Sequence, residues 1–159
     1  MRTRFTKKLG CALAIMLLLM SMFLPALAAS KSITVNASDY PVEKDGWYQT
    51  MEEVAVYLAT YEKLPGNFIT KKNAESEGWS NRNGNLDKVL PGCSIGGDYF
   101  GNYEGLVPSA KGRKWTECDI NFDGGYRGAE RIVFSTDGLI YYTDDHYTSF
   151  SKIDVTTAG

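Results

Sequence analysis

The hydrophobic pattern of this chain changes period at Pro91-Gly92, and that change limits the fold more than any other feature of the sequence. Before it, Met51, Val54, Ala55, Leu58 and Tyr61 recur at spacings of three and four, which predicts a helix over about 50–61 with one face on a core. Thr50 followed three positions later by Glu53 is a capping box for its first turn, and Leu64-Pro65-Gly66-Asn67 ends it. Thr70 caps a second, short helix through about Ser76, stopped by Gly78, and Asn85 caps a third that runs to Leu90. Beyond Pro91-Gly92 the spacing shortens to alternation. Strands are predicted at Ser94–Phe100, Lys114–Asn121, Ala129–Ser135 and Leu139–Thr143, with a short last one at Phe150–Ile153. Asp137-Gly138 pins the register of one pair as a hairpin. Helices first and an antiparallel meander second make an α+β fold, with N-terminal helices packed on one face of a C-terminal antiparallel β-sheet.

The ends of the chain read differently. Arg2, Arg4, Lys7 and Lys8 precede an uncharged run from Leu9 to Leu24, and Pro25 stands before Ala26-Leu27-Ala28, the small-x-small pattern of a signal-peptidase site. Residues 1–28 are therefore expected to be a signal peptide, 29–46 a propeptide or flexible arm, 47–153 the folded domain and 154–159 a C-terminal tail. A retained anchor is the alternative, but the run is shorter than the ~20 residues a membrane span needs. The mature protein is expected to be secreted and extracellular, with no membrane segment. Loss of the leader removes Cys11 and leaves Cys93 and Cys118. In an oxidising compartment their shared parity with Ile95 and Ile120 leaves two outcomes open, a disulfide or two free thiols. Two cysteines without nearby histidines make a poor zinc site, and no metal ligand set or cofactor motif is expected. Without the four leader cations, the 17 basic residues fall to 13 against 19 acidic ones, a net charge near −6 that argues against a broad polyanion-binding surface.

Strand parity sorts the ionisable groups. Trp115, Glu117 and Asp119 share one face of their strand and Arg131 and Val133 lie on the matching face of the next, so Glu117, Asp119 and Arg131 are expected on the open side of the sheet. Taken singly, each is an ordinary solvated strand charge. Together with Arg127 and His146, the only histidine, they supply a carboxylate, an imidazole and two guanidinium groups. That set is what metal-independent cleavage of a phosphodiester requires: a base, an acid and a clamp for a charged phosphorus centre.

The runs Tyr-Glu-Lys-Leu-Pro-Gly-Asn-Phe-Ile-Thr-Lys (61–71), Pro-Gly-Cys-Ser-Ile-Gly-Gly-Asp-Tyr-Phe (91–100) and Asp-Asp-His-Tyr (144–147) carry a resemblance. From about Thr50 to Ile153 the chain resembles the barnase-like secreted bacillar guanyl-preferring ribonucleases of the microbial ribonuclease family. The resemblance implies cleavage of single-stranded RNA by transphosphorylation to a 2′,3′-cyclic phosphate, without metal or cofactor. Glu117 would take the proton of the 2′-hydroxyl and His146 would protonate the leaving 5′-oxygen; an imidazole, with an ordinary pKa of ~6.5, can then act as a base in the hydrolytic step. Lys71, Arg127 and Arg131 would bind phosphate, and Asp119 would orient the two arginines through charge-assisted bonds. Phe100, Gly101, Asn102, Tyr103 and Glu104 match the guanine-recognition loop: backbone N–H groups meet guanine O6, the Glu104 carboxylate accepts from N1 and N2, Asn102 holds the loop, and Phe100 and Tyr147 are candidates for stacking on the base.

A further implication is a cytoplasmic, acidic, barstar-like protein inhibitor that protects the host before export of a monomeric enzyme. The chain departs from barnase at Tyr103, where barnase has arginine, at Gly101 for serine, at Gly138 for tryptophan and at Glu62 for a histidine at a helix C-terminus. The loss of positive charge at 103 weakens the expectation for RNA and inhibitor binding and leaves the catalytic groups untouched. Two other classes remain: a carbohydrate hydrolase pairing Glu104 with Glu117, which leaves Lys71, Arg127, Arg131 and His146 unexplained, and a catalytically degenerate extracellular module that binds RNA or nucleotides.

Overall fold

The structure is a computed structural model in which residues 31–157 are described. The leader expected at 1–28 lies outside the described residues. Seven strands, β1 (Ser32–Asn36), β2 (Phe68–Ile69), β3 (Ser94–Phe100), β4 (Trp115–Asp119), β5 (Arg131–Ser135), β6 (Ile140–Thr143) and β7 (Ser151–Thr156), form one sheet in the order β1-β7-β6-β5-β4-β3-β2. The edge pairs β1–β7 and β2–β3 are parallel, and the pairs between β3 and β7 are antiparallel. Three α-helices are described, α1 (Met51–Tyr61), α2 (Lys71–Ser76) and α3 (Leu86–Val89).

The fold is thus richer in sheet than the sequence predicts, and the excess comes from segments before the change of period. The arm expected at 29–46 supplies β1, in which Val35 is buried and pairs with Val155. That is a correction to the reading of a flexible arm. Its physical cause is the free edge of β7, whose backbone groups need partners. The same pairing extends β7 to Thr156, so the expected tail at 154–159 begins inside a strand.

Thr50 caps α1 as its sequence requires. Its hydroxyl accepts from the Glu53 amide and donates to Glu53 Oε2 at 2.7 Å, so the box closes between side chains. Glu62 ends the helix in the left-handed region at φ 56° and gives its amide to Leu58 O at 2.9 Å. Val54, Ala55 and Leu58 join Cys118, Ile120, Ile132, Ile140 and Ile153 in the largest core cluster. Val56 and Tyr57 are buried as well, outside the predicted stripe. The segment before the helix explains them: Tyr57 donates its hydroxyl to Lys44 O at 2.6 Å, and Tyr40, Val42 and Tyr48 pack on the same cluster. Each such side chain, once buried, contributes roughly 1.5–3 kcal/mol of transfer free energy. The short helices gather separately, Ala74 of α2 and Leu86 of α3 with Trp79 and Ile95.

A third cluster lies on the other side of the sheet, where Val107, Trp115, Val133 and Tyr141 are buried with Phe100, Leu139, Tyr147 and Phe150 packed against them. The face expected to be open is therefore covered, by Val107 from the β3–β4 connection and by Tyr147 and Phe150 from the segment before β7. Glu117, Asp119 and Arg131 share this face and are buried, at 8%, 2% and 2% exposure, not solvated strand charges.

A bulge in β3 between Gly96 and Asp98 brings Asp98 opposite Glu117. Gly97 takes φ 99° there, and a Cβ on Gly96 would lie 2.6 Å from the Cβ of Cys118, so glycine is needed at both positions. The same register settles the cysteines. Cys118 stands opposite Gly96, and Cys93 is three residues away along the chain, a displacement of about 10 Å in extended backbone against the roughly 7 Å limit for a bridge. Cys93 and Cys118 are both free, which corrects the disulfide alternative, and burial pushes the Cys118 thiol far above its usual range. Among the described residues no helix is long and apolar enough to cross a membrane.

Candidate active site

Five candidate residues converge on β4 and its neighbours. Register places Glu117 opposite Val133 and Asp119 opposite Arg131, so the pleat turns all three charged side chains to one face. Glu117 sits at the middle of the strand with both carboxylate oxygens occupied. Lys71 Nζ approaches Oε1 at 2.5 Å, and the Tyr147 hydroxyl donates to Oε2 at 2.6 Å. Lys71 reaches Glu117 because it opens α2, where Thr70 caps the helix and the Lys71 amide donates to Asp98 Oδ2 at 3.0 Å. Asp98 was not singled out from the sequence, since only the bulge at Gly97 aims it at this helix.

Asp119 holds the two arginines. Arg127 donates to its oxygens through Nε and Nη2, each at 2.6 Å, a bidentate pair, and Arg131 Nε stands 2.8 Å from Oδ1. The Arg131 contact is an ion pair without the alignment of a hydrogen bond, which leaves this buried N–H orphaned, while Nη1 donates to Glu130 O at 2.7 Å. Burial works against the charge on Arg127, but Asp119 more than offsets it and holds the guanidinium above its ordinary pKa. The cations differ in access. The side chains of Lys71, Arg127 and Arg131 are 39%, 15% and 2% exposed, so solvent reaches Lys71 and Arg127 but hardly Arg131.

His146 is exposed and adjoins this cluster through Tyr147, whose ring lies 5.0 Å from the imidazole. Both residues are in the left-handed region, at φ 54° and 71°, a conformation that costs a side chain of this kind unless its surroundings enforce it. Asp145 enforces it. Its carboxylate accepts from the Thr148 and Ser149 amides at 3.0 and 2.9 Å, from the Ser149 hydroxyl at 2.6 Å and from the Thr143 hydroxyl at 2.8 Å. Thr143 Oγ1 in turn accepts from the Tyr147 amide at 3.1 Å. The Ser149 hydroxyl first, then these other donors, hold the Asp145 carboxyl down at about 2. The signal in the sequence was an Asp two residues past a Thr and four before a Ser, an Asx-type turn. Burial, then the Glu117 carboxylate, push the Tyr147 phenol far above its ordinary value, so it stays a donor to Glu117 across the neutral range.

The loop after β3 is a separate group at the Trp115 end of β4. Asn102, at φ 47°, donates to Val107 O at 2.8 Å and Ser109 Oγ at 3.3 Å, accepts from the Val107 amide at 3.1 Å, and its carbonyl takes the Gly105 amide at 3.0 Å. Tyr103 lies over Gly101, where a Cβ would fall 2.2 Å from its ring, and is 90% exposed. Glu104 is exposed. Phe100 and Tyr147, both candidates for stacking on a base, stack on each other at 5.4 Å, and Phe150 meets Phe100 edge-on at 5.9 Å. A cavity of about 590 Å³ between the end of α1 and the β5–β6 hairpin contains none of these candidates. Among the described residues no group of three His, Cys, Asp or Glu side chains converges as a metal site needs.

Comparison with known proteins finds one family and several relatives. A sequence model described as ribonuclease matches residues 51–154, which leaves β1 outside the match. A ribonuclease of Heyndrickxia coagulans is 54% identical over 104 residues, covering 65% of this chain and 95% of that protein. A ribonuclease of Bacillus intermedius is also 54% identical over 104 residues, and there the match covers 65% of this chain and 64% of the relative's length, just under two thirds. Guanyl-specific ribonuclease St of Saccharopolyspora erythraea is 38% identical over 55 residues, 34% of this chain and 54% of that protein.

Proposed function

Since the chain belongs to the ribonuclease family, we propose that it is an endoribonuclease that cleaves single-stranded RNA after guanosine, without metal, through a 2′,3′-cyclic phosphate. The observation that carries this reading is the Glu117 carboxylate held between the Lys71 ammonium and the Tyr147 hydroxyl, beside two arginines fixed by Asp119. In the first step the 2′-oxygen attacks phosphorus and gives its proton to Glu117. The O2′–P bond forms as the P–O5′ bond breaks, and His146 protonates the departing 5′-oxygen. In the second step His146 accepts a proton from water as the water oxygen attacks the cyclic phosphate, the new P–O bond forms as the P–O2′ bond breaks, and Glu117 returns its proton to the 2′-oxygen. Exposure supports Lys71 and Arg127 as the direct phosphate contacts. Arg131 adds charge from beneath them, where low dielectric strengthens its effect on a developing dianion.

For base choice, the support is a loop shaped by Asn102 with the Glu104 carboxylate free at its surface, and a relative named guanyl-specific. Guanine alone offers an acceptor at O6 beside donors at N1 and N2. The mutual stacking of Phe100 and Tyr147 gives a flat apolar floor against which such a base can rest. The reading extends to a secreted, monomeric protein whose helices are carried on one sheet face, supported there by the cluster α1 shares with the strands. It also includes a cytoplasmic inhibitor that presents acidic groups to Lys71, Arg127 and His146.

The test is to incubate the protein lacking residues 1–28 with defined RNA in EDTA and to sequence the ends produced. Guanosine 2′,3′-cyclic phosphate ends are expected. Intact RNA, or ends with no preference for guanosine, would overturn the respective part of the reading.

A further inference from the structure

Thr116 precedes Glu117 on β4 and therefore points to the opposite face of the sheet, the face that α1 covers. Register sets it beside Phe134 on β5 and Phe134 beside Ile140 on β6. This row is the floor of the cavity of about 590 Å³, between Leu58, Ala59 and Glu62 at the end of α1 and the turn Thr136-Asp137-Gly138. Small-molecule sites occupy roughly 300–1,000 Å³, so the space is of ligand size. Its walls are set in advance. The turn is closed by the Gly138 amide on Ser135 O at 3.1 Å and the Leu139 amide on Ser135 Oγ at 2.9 Å. Arg113 grips Asp137 through Nε to Oδ1 at 2.8 Å and Nη2 to Oδ2 at 2.7 Å. Beside Gly138, at φ 90°, an added Cβ would meet nothing within 4 Å, so the turn leaves that side open.

The charge of the cavity is one-sided. Among the described residues that line it, the ionisable ones are Glu62 and Asp137. Arg113 balances Asp137, so the remaining attraction comes from Glu62, which stands at the C-cap of α1. The carbonyl end of this 11-residue helix adds partial negative charge there, and its last turn carries no basic residue to offset it. A carboxylate in that place is unfavourable alone and becomes favourable once a cation sits over it. Glu62 and Gly138 are also two of the positions at which the chain departs from barnase, and both open onto this one space.

We propose that this cavity binds a small organic cation with a flat apolar body, an aryl-alkyl ammonium. Its ring rests on Thr116, Phe134 and Ile140, and its ammonium meets the Glu62 carboxylate and the last carbonyls of α1. The catalytic and base-loop candidates lie outside the lining, so binding can be followed whether or not the protein cuts RNA.

The experiment uses three probes that share an indole body and differ in charge: tryptamine, a cation; tryptophol, neutral; and indole-3-acetate, an anion. Each is titrated into the ¹⁵N-labelled protein lacking residues 1–28, and amide shifts are followed by NMR. Tryptamine is expected to bind with a Kd on the order of a millimolar, as suits a probe of about a dozen heavy atoms, and to shift the amides of Leu58 to Glu62 and Phe134 to Ile140. Tryptophol is expected to bind about three- to tenfold more weakly, the worth of one charge at a half-open helix end, and indole-3-acetate more weakly still. Glu62→Lys complements the helix end, so it should melt no lower than the parent while binding tryptamine no better than the parent binds tryptophol. Ala59→Trp puts an indole into the cavity from an exposed helix position and should abolish the shifts with all three probes. Equal affinity for the three probes would overturn the cation site, as would shifts that map elsewhere or tryptamine binding unchanged in either folded variant. Absence of any shift at about ten times the expected Kd would overturn the cavity as a ligand site altogether.

Discussion

Tyr147 donates its hydroxyl to Oε2 of Glu117 at 2.6 Å across 30 residues of sequence, and with Lys71 on Oε1 no oxygen of that carboxylate is left without a donor. An attacking hydroxyl must share or displace one of these partners. Lys71 is the more exposed of the two, so substrate phosphate is expected to draw the ammonium away and leave Oε1 to receive the proton.

Replacing Tyr147 with Phe keeps the ring on Phe100 and removes only the hydroxyl. A hydrogen bond to a charged group is worth about 1.5–3 kcal/mol, so kcat on GpA is predicted to fall roughly ten- to a hundredfold while the near-ultraviolet dichroism of the aromatic cluster is retained. Unchanged kcat in a folded variant would mean that Tyr147 does not position Glu117.

For His146→Ala, the imidazole is exposed, with its ring 5.0 Å from that of Tyr147, so the fold should survive. Loss of an acid that acts in the transition state predicts a fall in kcat of about 10²- to 10⁴-fold, with binding of guanosine 3′-monophosphate within a few fold of the parent. A variant retaining more than about a tenth of the rate would falsify the assignment.

The Glu104 side chain is exposed at the loop surface, where its carboxylate can meet a base. The parent is predicted to prefer GpA over ApA by roughly ten- to a hundredfold in kcat/KM, and Glu104→Gln to erode that ratio while changing the ApA rate little. Equal parental rates on the two dinucleotides would remove the loop as a guanine site.

Asp119→Ala leaves Arg131, at 2% exposure, as a buried cation without its carboxylate. Breaking a buried pair from one side costs about 3–5 kcal/mol, and a domain of this size loses roughly 4 °C per kcal/mol, so Tm is expected to drop by about 10 °C or more. A drop of only a degree or two in thermal melts would show that the arginines repair their solvation by themselves.

Asp145 ties acid stability to the conformation of His146. Its carboxyl titrates at about 2 in the fold against an ordinary 3.8, so the contribution to stability is fully present above the ordinary value and lost as pH falls through about 2. Asp145→Ala is predicted to melt below the parent at neutral pH, with the gap in Tm closing between about pH 4 and 2. It should also lower kcat, because His146 and Tyr147 lose the support for their positive φ angles. A gap that persists unchanged at pH 2 would place the stabilising effect elsewhere.

What the sequence alone determined was local or periodic. Thr50 with Glu53 set the start of α1, alternation set β3 to β6, and the period of two put Glu117, Asp119 and Arg131 on one face, since a strand has no freedom to do otherwise. The identity of the residue set was legible for the same reason, as it needs only residue types at fixed positions. Tertiary structure decided whatever depended on a second segment. The arm at 32–36 became a strand because β7 offered an edge, and no pattern within five residues announces that offer. Val107, Tyr147 and Phe150 fold back on the face that carries the charges, and Arg127 closes on Asp119 from the β4–β5 connection, so strand charges expected in water are buried pairs that must satisfy one another. Cys93 and Cys118 share a parity but not a register, and parity fixes the face while only pairing fixes the distance. The sequence resemblance makes Tyr147 a candidate base contact, and only the fold makes it the partner of Glu117, because a hydrogen bond across 30 residues exists only once the chain has closed on itself.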